Sequence, residues 1–267
     1  MRVVVCIKHI LDPELPPSRF EIDPELKCAR IGNHAFVMSP FDANALEMAL
    51  QMKDRSADVQ VAALTYGDKK AEESLRKALG VLADEAVHVM REEGSVEDPV
   101  GTARVLAAAI RNTGPADIVL CGRQAGDTDG GVVGSLIAEE LGIPPICFAS
   151  KLEAEDGYIR IWREAEGAAE LVRASLPVLV TATNDESNVL RIAKVRDVMK
   201  SHRMPVKVLT LKDLGLEPSL HVQRLSCADV RGLYTPVQDN VCQILEGEEP
   251  EEKIETLLLQ LRNQKLL

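Results

Sequence analysis

The sequence predicts an α/β protein built on a doubly wound, mostly parallel sheet, with an antiparallel extension and a C-terminal arm. Three observations carry that reading. The 267 residues are 46% hydrophobic but only 3% aromatic, so the core is made of Val, Leu, Ile and Ala. Parallel strands buried under helices read as such continuous aliphatic runs. Strand-like and helix-like segments alternate over about the first 150 residues, the order of repeated βαβ units. After Pro145 the alternation stops, and four strand-like runs follow one another without helices between them.

The elements follow in order. Arg2–Lys8 is a buried strand, and Pro13, Pro16 and Pro17 lie in the polar connection after it. Phe20–Asp23 and Ala29–Ile31 read as a short hairpin over the sheet edge. Ser39-Pro40-Phe41-Asp42 is a helix start, with Ser39 as cap, Pro40 in the first helical position and Asp42 three residues on, as in a capping box. Val59–Thr65 is the second strand and Lys69–Val81 the helix after it. Glu85–Met90 is a third strand. Asp98-Pro99 opens a helix that Gly114-Pro115 closes. Ile118–Cys121 is a fourth strand, and a helix runs roughly over Gly131–Leu141. Ile146–Ala149, Tyr158–Trp162, Ala169–Arg173 and Val178–Ala182 form the antiparallel extension, with Asp156-Gly157 and Glu166-Gly167 as turns. Beyond Pro218 the periodicity fades until Ile254, Leu257, Leu258 and Leu261 mark one amphipathic helix. Residues 1–218 therefore read as the α/β domain and 219–267 as an arm that wraps a partner.

Composition narrows the function. A net charge of −11 argues against nucleic acid, which needs clustered Lys and Arg, and it permits steering towards a basic partner. The N-terminus enters the first strand directly, with no leader pattern, and no apolar run approaches the ~20 residues of a membrane span. A cytoplasmic protein without direct membrane insertion is expected. The six cysteines include no C-x-x-C pair and the five histidines are scattered, so neither disulfides nor a metal site is expected.

The richest segment is Cys121 to Gly134, which includes Gly122, Arg123, Gln124, Ala125, Gly126, Asp127, Thr128, Asp129, Gly130, Gly131, Val132 and Val133. It lies between a buried strand and a helix, where open α/β sheets bind ligands. Glycines let the backbone approach a phosphate, and the N–H groups of a helix start receive it. Asp127 and Asp129 repel phosphate, so helix capping, loop bracing or a ribose hydroxyl are their roles. An ordinary Gly-rich turn explains the same composition, and neither G-x-G-x-x-G nor the Walker pattern is present. In a parallel sheet Cys6, Thr65 and Tyr66 at two strand ends, and Ser39 to Asp42 at another helix start, converge on the same edge. No nucleophile elbow is found. His9 and His88 read as structural, Glu164 and Glu166 as turn-flanking solvated carboxylates, and Trp162 as packing.

These residues resemble the β subunit of electron-transferring flavoproteins, the FixA family, along nearly the whole chain. Val3 to Lys8 is similar to the family's first strand, and Ser39-Pro40-Phe41-Asp42 to its N-P-x-[DE] helix start with Ser39 in place of Asn. Gly122-Arg123-Gln124-Ala125-x-Asp127-x-Asp129 matches G-[RK]-Q-A-x-D-x-D. The long pattern over Ile161–Thr181 is met at Ile161, Arg163, Glu166, Gly167, Glu170, Val172, Pro177, Leu179, Val180 and Thr181, with Ala168 departing.

The resemblance implies a Rossmann-like adenine nucleotide-binding domain and a heterodimer whose α subunit carries the electron-transferring FAD. It further implies a nucleotide, AMP or a second FAD, at Cys6, Ser39 to Asp42, Tyr66 and Arg123 to Gly134. Glu164 matches a family glutamate near the swivelling flavin domain, and Asn184 to Arg191 the loop that docks on dehydrogenases, here without a hydrophobic anchor at Asp185-Glu186-Ser187. Gly130 and Val132 stand where family members carry Thr and Gln, which leaves the occupant open between AMP and FAD. A stand-alone ATP/AMP-binding module of the universal-stress type has the same sheet, but it lacks the Ile161–Thr181 stretch and the arm.

Overall fold

The computed structural model describes residues 1–16, 19–23, 28–29, 35–92, 98–216, 232–234, 242–247 and 249–267. Its first strand, β1 (Arg2–Cys6), sends Val3 and Val5 to one face and Val4 and Cys6 to the other, all of them buried. A strand buried on both faces needs helices on both sides. The helices α1 (Pro40–Arg55) and α2 (Glu72–Gly80) cover the Val3/Val5 face, while α3 (Pro99–Thr113) and α4 (Val133–Leu141) cover the Val4/Cys6 face.

Five further parallel strands complete the centre: β6 (Gln60–Gly67), β7 (Glu85–Met90), β8 (Ile118–Gly122), β12 (Val178–Ala182) and β13 (Lys207–Leu209). On one flank β9 (Pro145–Glu155), β10 (Tyr158–Ala165) and β11 (Ala168–Ser175) form a meander. The sheet order is β11-β10-β9-β12-β8-β1-β6-β7-β13. From β1 the chain winds outward through β6 and β7, then crosses back to β8 on the other side of β1. The topological switch point therefore lies between β1 and β8, where open sheets leave a crevice at the strand ends. Two small hairpins lie apart from this sheet. β3 (Ile22–Asp23) and β4 (Cys28–Ala29) are the expected pair, with residues 30 and 31 outside the described residues. β2 (His9–Leu11) and β5 (Phe36–Met38) form a second pair the sequence did not announce.

The four runs after Pro145 are only partly antiparallel. β10 pairs antiparallel with both β9 and β11, and Gly157 (φ 71°) and Gly167 (φ 73°) make the turns. β12, however, lies parallel to β8 and to the first residues of β9, and it is buried throughout. The meander itself serves as the crossover that a helix provides elsewhere, so the missing helix did not mean a missing parallel strand. The alternation in β10 is also cleaner than the sequence suggested. Ile159 and Ile161 are fully buried, and Trp162 packs on the other face against Lys151 and Arg160, 4.6 and 5.7 Å from its ring centre.

The helix α5 (Val195–Ser201) and edge strand β13 follow the polar segment 184–191 and were not anticipated from sequence. That segment is pinned to α1. Arg191 forms a forked pair with buried Glu47 (2.8 and 2.9 Å) and reaches Asp54 at 2.8 Å, while the Asn44 amide donates to the Asn188 carbonyl at 2.9 Å. Arg191→Ala strands the Glu47 carboxylate. Because the Arg191 side chain is 28% exposed, the cost of breaking a buried pair is discounted to about 2 kcal/mol. Urea denaturation should read it as a lower midpoint at unchanged slope. The last helix, α6 (Pro250–Asn263), has no buried residue, and Ile254, Leu257 and Leu258 on it are exposed. No helix among the described residues is long and apolar enough to cross a membrane.

Candidate functional site

A cavity of about 280 Å³ opens at the carboxyl ends of β1, β6, β7 and β8, over the switch point. Its floor is Cys6 and Cys121, and Tyr66 stands at the end of β6. Arg123, Gln124, Ala125, Thr128, Gly130, Gly131, Val132, Val133 and Gly134 form the wall beneath α4. Gly131 has φ +63°, a conformation open to glycine at little cost, and Asp129 shares it at φ +50°. No side chain caps α4, and its first returning bond is Leu136 N–H to the Val132 carbonyl at 3.0 Å. The N–H groups of the first turn thus face the cavity without a helical partner.

Two loop carboxylates are held by neighbouring side chains, only Asp127 by a cation. Asp127 accepts from Lys8 Nζ at 2.7 Å, and Asp129 from Gln124 Nε2 at 2.7 Å. Neither caps α4, and both are held by side chains rather than by backbone N–H groups of the loop. Arg123 stacks on Phe41, with its guanidinium carbon 4.7 Å from the ring centre, and reaches Thr183 Oγ1 at 3.2 Å. Its Nε is buried with no hydrogen-bond partner.

Asp42 departs from the capping box. The Ser39 N–H donates to the Lys8 carbonyl at 2.9 Å, so it does not need Asp42. The carboxylate turns inward and accepts from the N–H groups of Lys8 at 2.8 Å and Gly122 at 2.9 Å. One side chain at the start of α1 thereby ties together the ends of β1 and β8. Burial pushes its carboxyl up to about 7, against the pull of those two N–H donors and the Lys8 ammonium. Ser39 does not cap α1 either; its hydroxyl accepts from Gly126 N–H at 3.4 Å.

Of the expected positions, Ser39, Pro40, Phe41, Gly126, Asp127 and Asp129 do not line the cavity, whereas Asp42 and the remaining ones do. Pro40 backs Gly126, where a Cβ would stand 3.1 Å from Pro40 Cδ. Thr65, expected beside Cys6, is fully buried and donates to the Ile7 carbonyl at 2.7 Å, so it is spent on the sheet. Arg91, Asp98, Pro99 and Thr102 line the far wall and were not named as site residues. The signal was present, since Asp98-Pro99 reads as a helix start after a strand parallel to the others. Asp98 does cap α3, accepting from Gly101 N–H at 2.8 Å. His88 is buried against the Gly67 carbonyl, and Glu164 and Glu166 are exposed. Among the described residues no group of three or more His, Cys, Asp or Glu side chains could hold a metal ion.

A doubly wound sheet with a glycine-bearing strand-to-helix loop at its switch point belongs to the class of open α/β proteins whose crevice at the strand ends takes ligands. The sequence comparisons make the class specific. Residues 31–214 match the electron transfer flavoprotein domain, more than half of the chain, and the chain belongs to that family. It is 31% identical to the electron transfer flavoprotein subunit beta of Megasphaera elsdenii, over 100% of both chains. It is 30% identical to the caffeyl-CoA reductase-Etf complex subunit CarD of Acetobacterium woodii, again over 100% of both. Protein FixA of Azorhizobium caulinodans is 32% identical over 81% of this chain and 78% of its own. The chain is thus a β-subunit-like electron-transfer protein, and the stress-protein reading finds no support.

Proposed function

We propose that this chain is the β subunit of a heterodimeric electron-transferring flavoprotein. In this reading it binds an adenine nucleotide at the switch point and supports an α subunit that carries the electron-transferring FAD. One observation carries the nucleotide assignment: the uncapped start of α4 and the left-handed Gly131 face a cavity that neither nearby loop carboxylate lines, Asp127 being paired with Lys8 and Asp129 held by the Gln124 amide. The moiety placed there is an adenosine phosphate, common to AMP and FAD. The phosphate would sit at the N–H groups of Gly131 to Gly134, and the unpartnered Arg123 Nε supplies a further donor.

Residues 219–267 are assigned as the arm on the α subunit, in keeping with the exposed Ile254, Leu257 and Leu258 of α6. A dehydrogenase would dock near residues 184–191. The apolar contact missing from Asp185-Glu186-Ser187 is offered next door by Val189, Ile192, Val195 and Met199, all exposed. That the reaction is electron transfer between dehydrogenases and an acceptor follows from the same assignment.

The test is to denature the heterodimer purified with its α subunit and count the nucleotides released. One FAD with one AMP makes the site structural, whereas two FADs make it a second redox centre. One FAD and no second nucleotide would sink the assignment. Gly131→Asp should abolish retention of the second nucleotide, while Gly131→Asn, which takes the same backbone angle without the charge, should retain it. Equal occupancy in both variants would place the phosphate elsewhere.

A further inference from the structure

The outward side of α5 is apolar and basic at once. Its inward side is Asp197 and Ser201, both buried, and α2 fixes it there, with Arg76 donating to the Ser201 and Met204 carbonyls at 2.7 and 2.6 Å. Residues i, i+3 and i+4 share one side of a helix, so Val195, Val198 and Met199 form an apolar ridge. The ridge is bare: Val195 is 78% exposed and Met199 61%, and Ile192 just before the helix is 96% exposed. Arg196 and Lys200 follow the ridge one position on, with Lys194 before the helix and Arg203 after it. Residues 192–203 thus hold four cations against one carboxylate, in a chain of net charge −11. Among the described residues Arg196 pairs with Asp197 at 3.3 Å, whereas no carboxylate pairs with Lys194, Lys200 or Arg203. Elsewhere cations such as Arg2, Lys53, Arg104 and Arg160 stand in ion pairs.

We infer that this face of α5 is where the electron-transfer partner docks, and that the partner is a protein with an acidic rim around an apolar pocket. The inference rests on the dehydrogenase docking proposed above and adds the chemistry that selects the partner. A bare apolar ridge rimmed by charge marks an interaction site. Ile192, Val195 and Met199 supply the pocket contact that Asp185-Glu186-Ser187 cannot. Lys194, Lys200 and Arg203 meet the rim, where charges govern approach and register more than affinity. Net charge alone steers the chain towards a basic partner. Within a Debye length, about 8 Å at physiological salt, a docking partner meets cations instead. The α1 carboxylates that reach the docking segment, Glu47 and Asp54, are already held by Arg191, and Asp185 accepts from Ser187 N–H at 2.8 Å. A lipid surface fits less well. Residues 189–208 include no Trp, Tyr or Phe to sit at an interface, and an anionic leaflet repels the rest of the chain.

The heterodimer purified with its α subunit is reduced anaerobically by an acyl-CoA dehydrogenase supplied with its acyl-CoA. Reduction should slow as NaCl rises from low salt to about 0.15 M, the sign of attraction in spite of the net charge of −11. Lys194→Glu with Lys200→Glu should raise KM for the heterodimer about tenfold or more in low salt, leave kcat within about twofold and remove the salt dependence. Val195→Ser with Met199→Ser should also raise KM but keep the salt dependence, and the charge-matched Lys69→Glu with Lys212→Glu should change neither. Reduction that quickens with salt, an unchanged KM in the Lys194/Lys200 variant, or an equal loss in the Lys69/Lys212 variant overturns the inference. A wild-type heterodimer that takes no electrons from the dehydrogenase sinks the docking proposed above, and this face with it. Vesicles of phosphatidylcholine and phosphatidylglycerol should leave the chain in solution. Co-sedimentation that the Lys194/Lys200 variant loses would give the face to lipid and overturn the protein partner.

Discussion

Gly122→Ala should cost about 3 kcal/mol or more of folding stability and empty the cavity wall of its order. A Cβ at Gly122 would stand 2.6 Å from Asp42 Oδ1, 2.7 Å from Phe41 Cβ and 2.8 Å from the Asp42 backbone nitrogen. Two of those atoms belong to the backbone or its first side-chain carbon, so rotamer changes do not relieve them. The start of α1 must move off β8, and the Asp42 clasp to Lys8 and Gly122 opens with it. Overpacking costs ~1–3 kcal/mol where side chains give way, and the upper end is the floor here. Gly130→Ala is the control, because a Cβ there meets nothing within 4 Å. Thermal denaturation of both variants checks the pair. Equal melting temperatures would show that the α1–β8 approach is looser than described.

The second large effect concerns pH. The Asp42 carboxyl is raised by burial from an ordinary 3.8 to about 7 in the folded chain. Between those values the folded state holds a proton that the unfolded state has lost. Stability from this group is therefore fully present below about pH 4 and falls as pH rises to about 7. At about 1.36 kcal/mol per pKa unit, the full fall is on the order of 4 kcal/mol. Asp42→Asn removes the titration, since an amide stays neutral across the range. It keeps one carbonyl acceptor but opposes an NH₂ to the second N–H donor, so its stability is lower at acid pH and nearly flat with pH. Urea titrations at pH 4.5, 6 and 7.5 should show the wild-type advantage shrinking as pH rises. Because other carboxylates are common to both proteins, the difference isolates Asp42. A constant difference across the range would mean that Asp42 is ionised throughout.

Both effects turn on contacts that local sequence does not display. Ser39-Pro40-Phe41-Asp42 reads as a capping box because only neighbouring donors are visible in a sequence. The donors that win, Lys8 and Gly122, are 34 and 80 residues away. The same limit applies to Thr65, whose hydroxyl is taken by the Ile7 carbonyl, and to β12, whose parallel pairing depends on a meander acting as a crossover. Arg91 and Thr102 escaped notice because neither belongs to a local pattern; β7 and α3 carry them to the cavity.

By itself the sequence determined the class of fold, through aliphatic runs that need helices on both sides, and the glycine-bearing segment Gly122 to Gly134 placed between a strand and a helix. It also carried the family pattern over Ile161–Thr181. These are properties of periodicity and residue type, which survive without a partner in space. The tertiary structure alone decided which side chains line the cavity, which carboxylates are held by Lys8 and Gln124, and that Asp42 clasps two strands. Those outcomes rest on competition among distant donors and on burial, and burial is a property of the folded chain only.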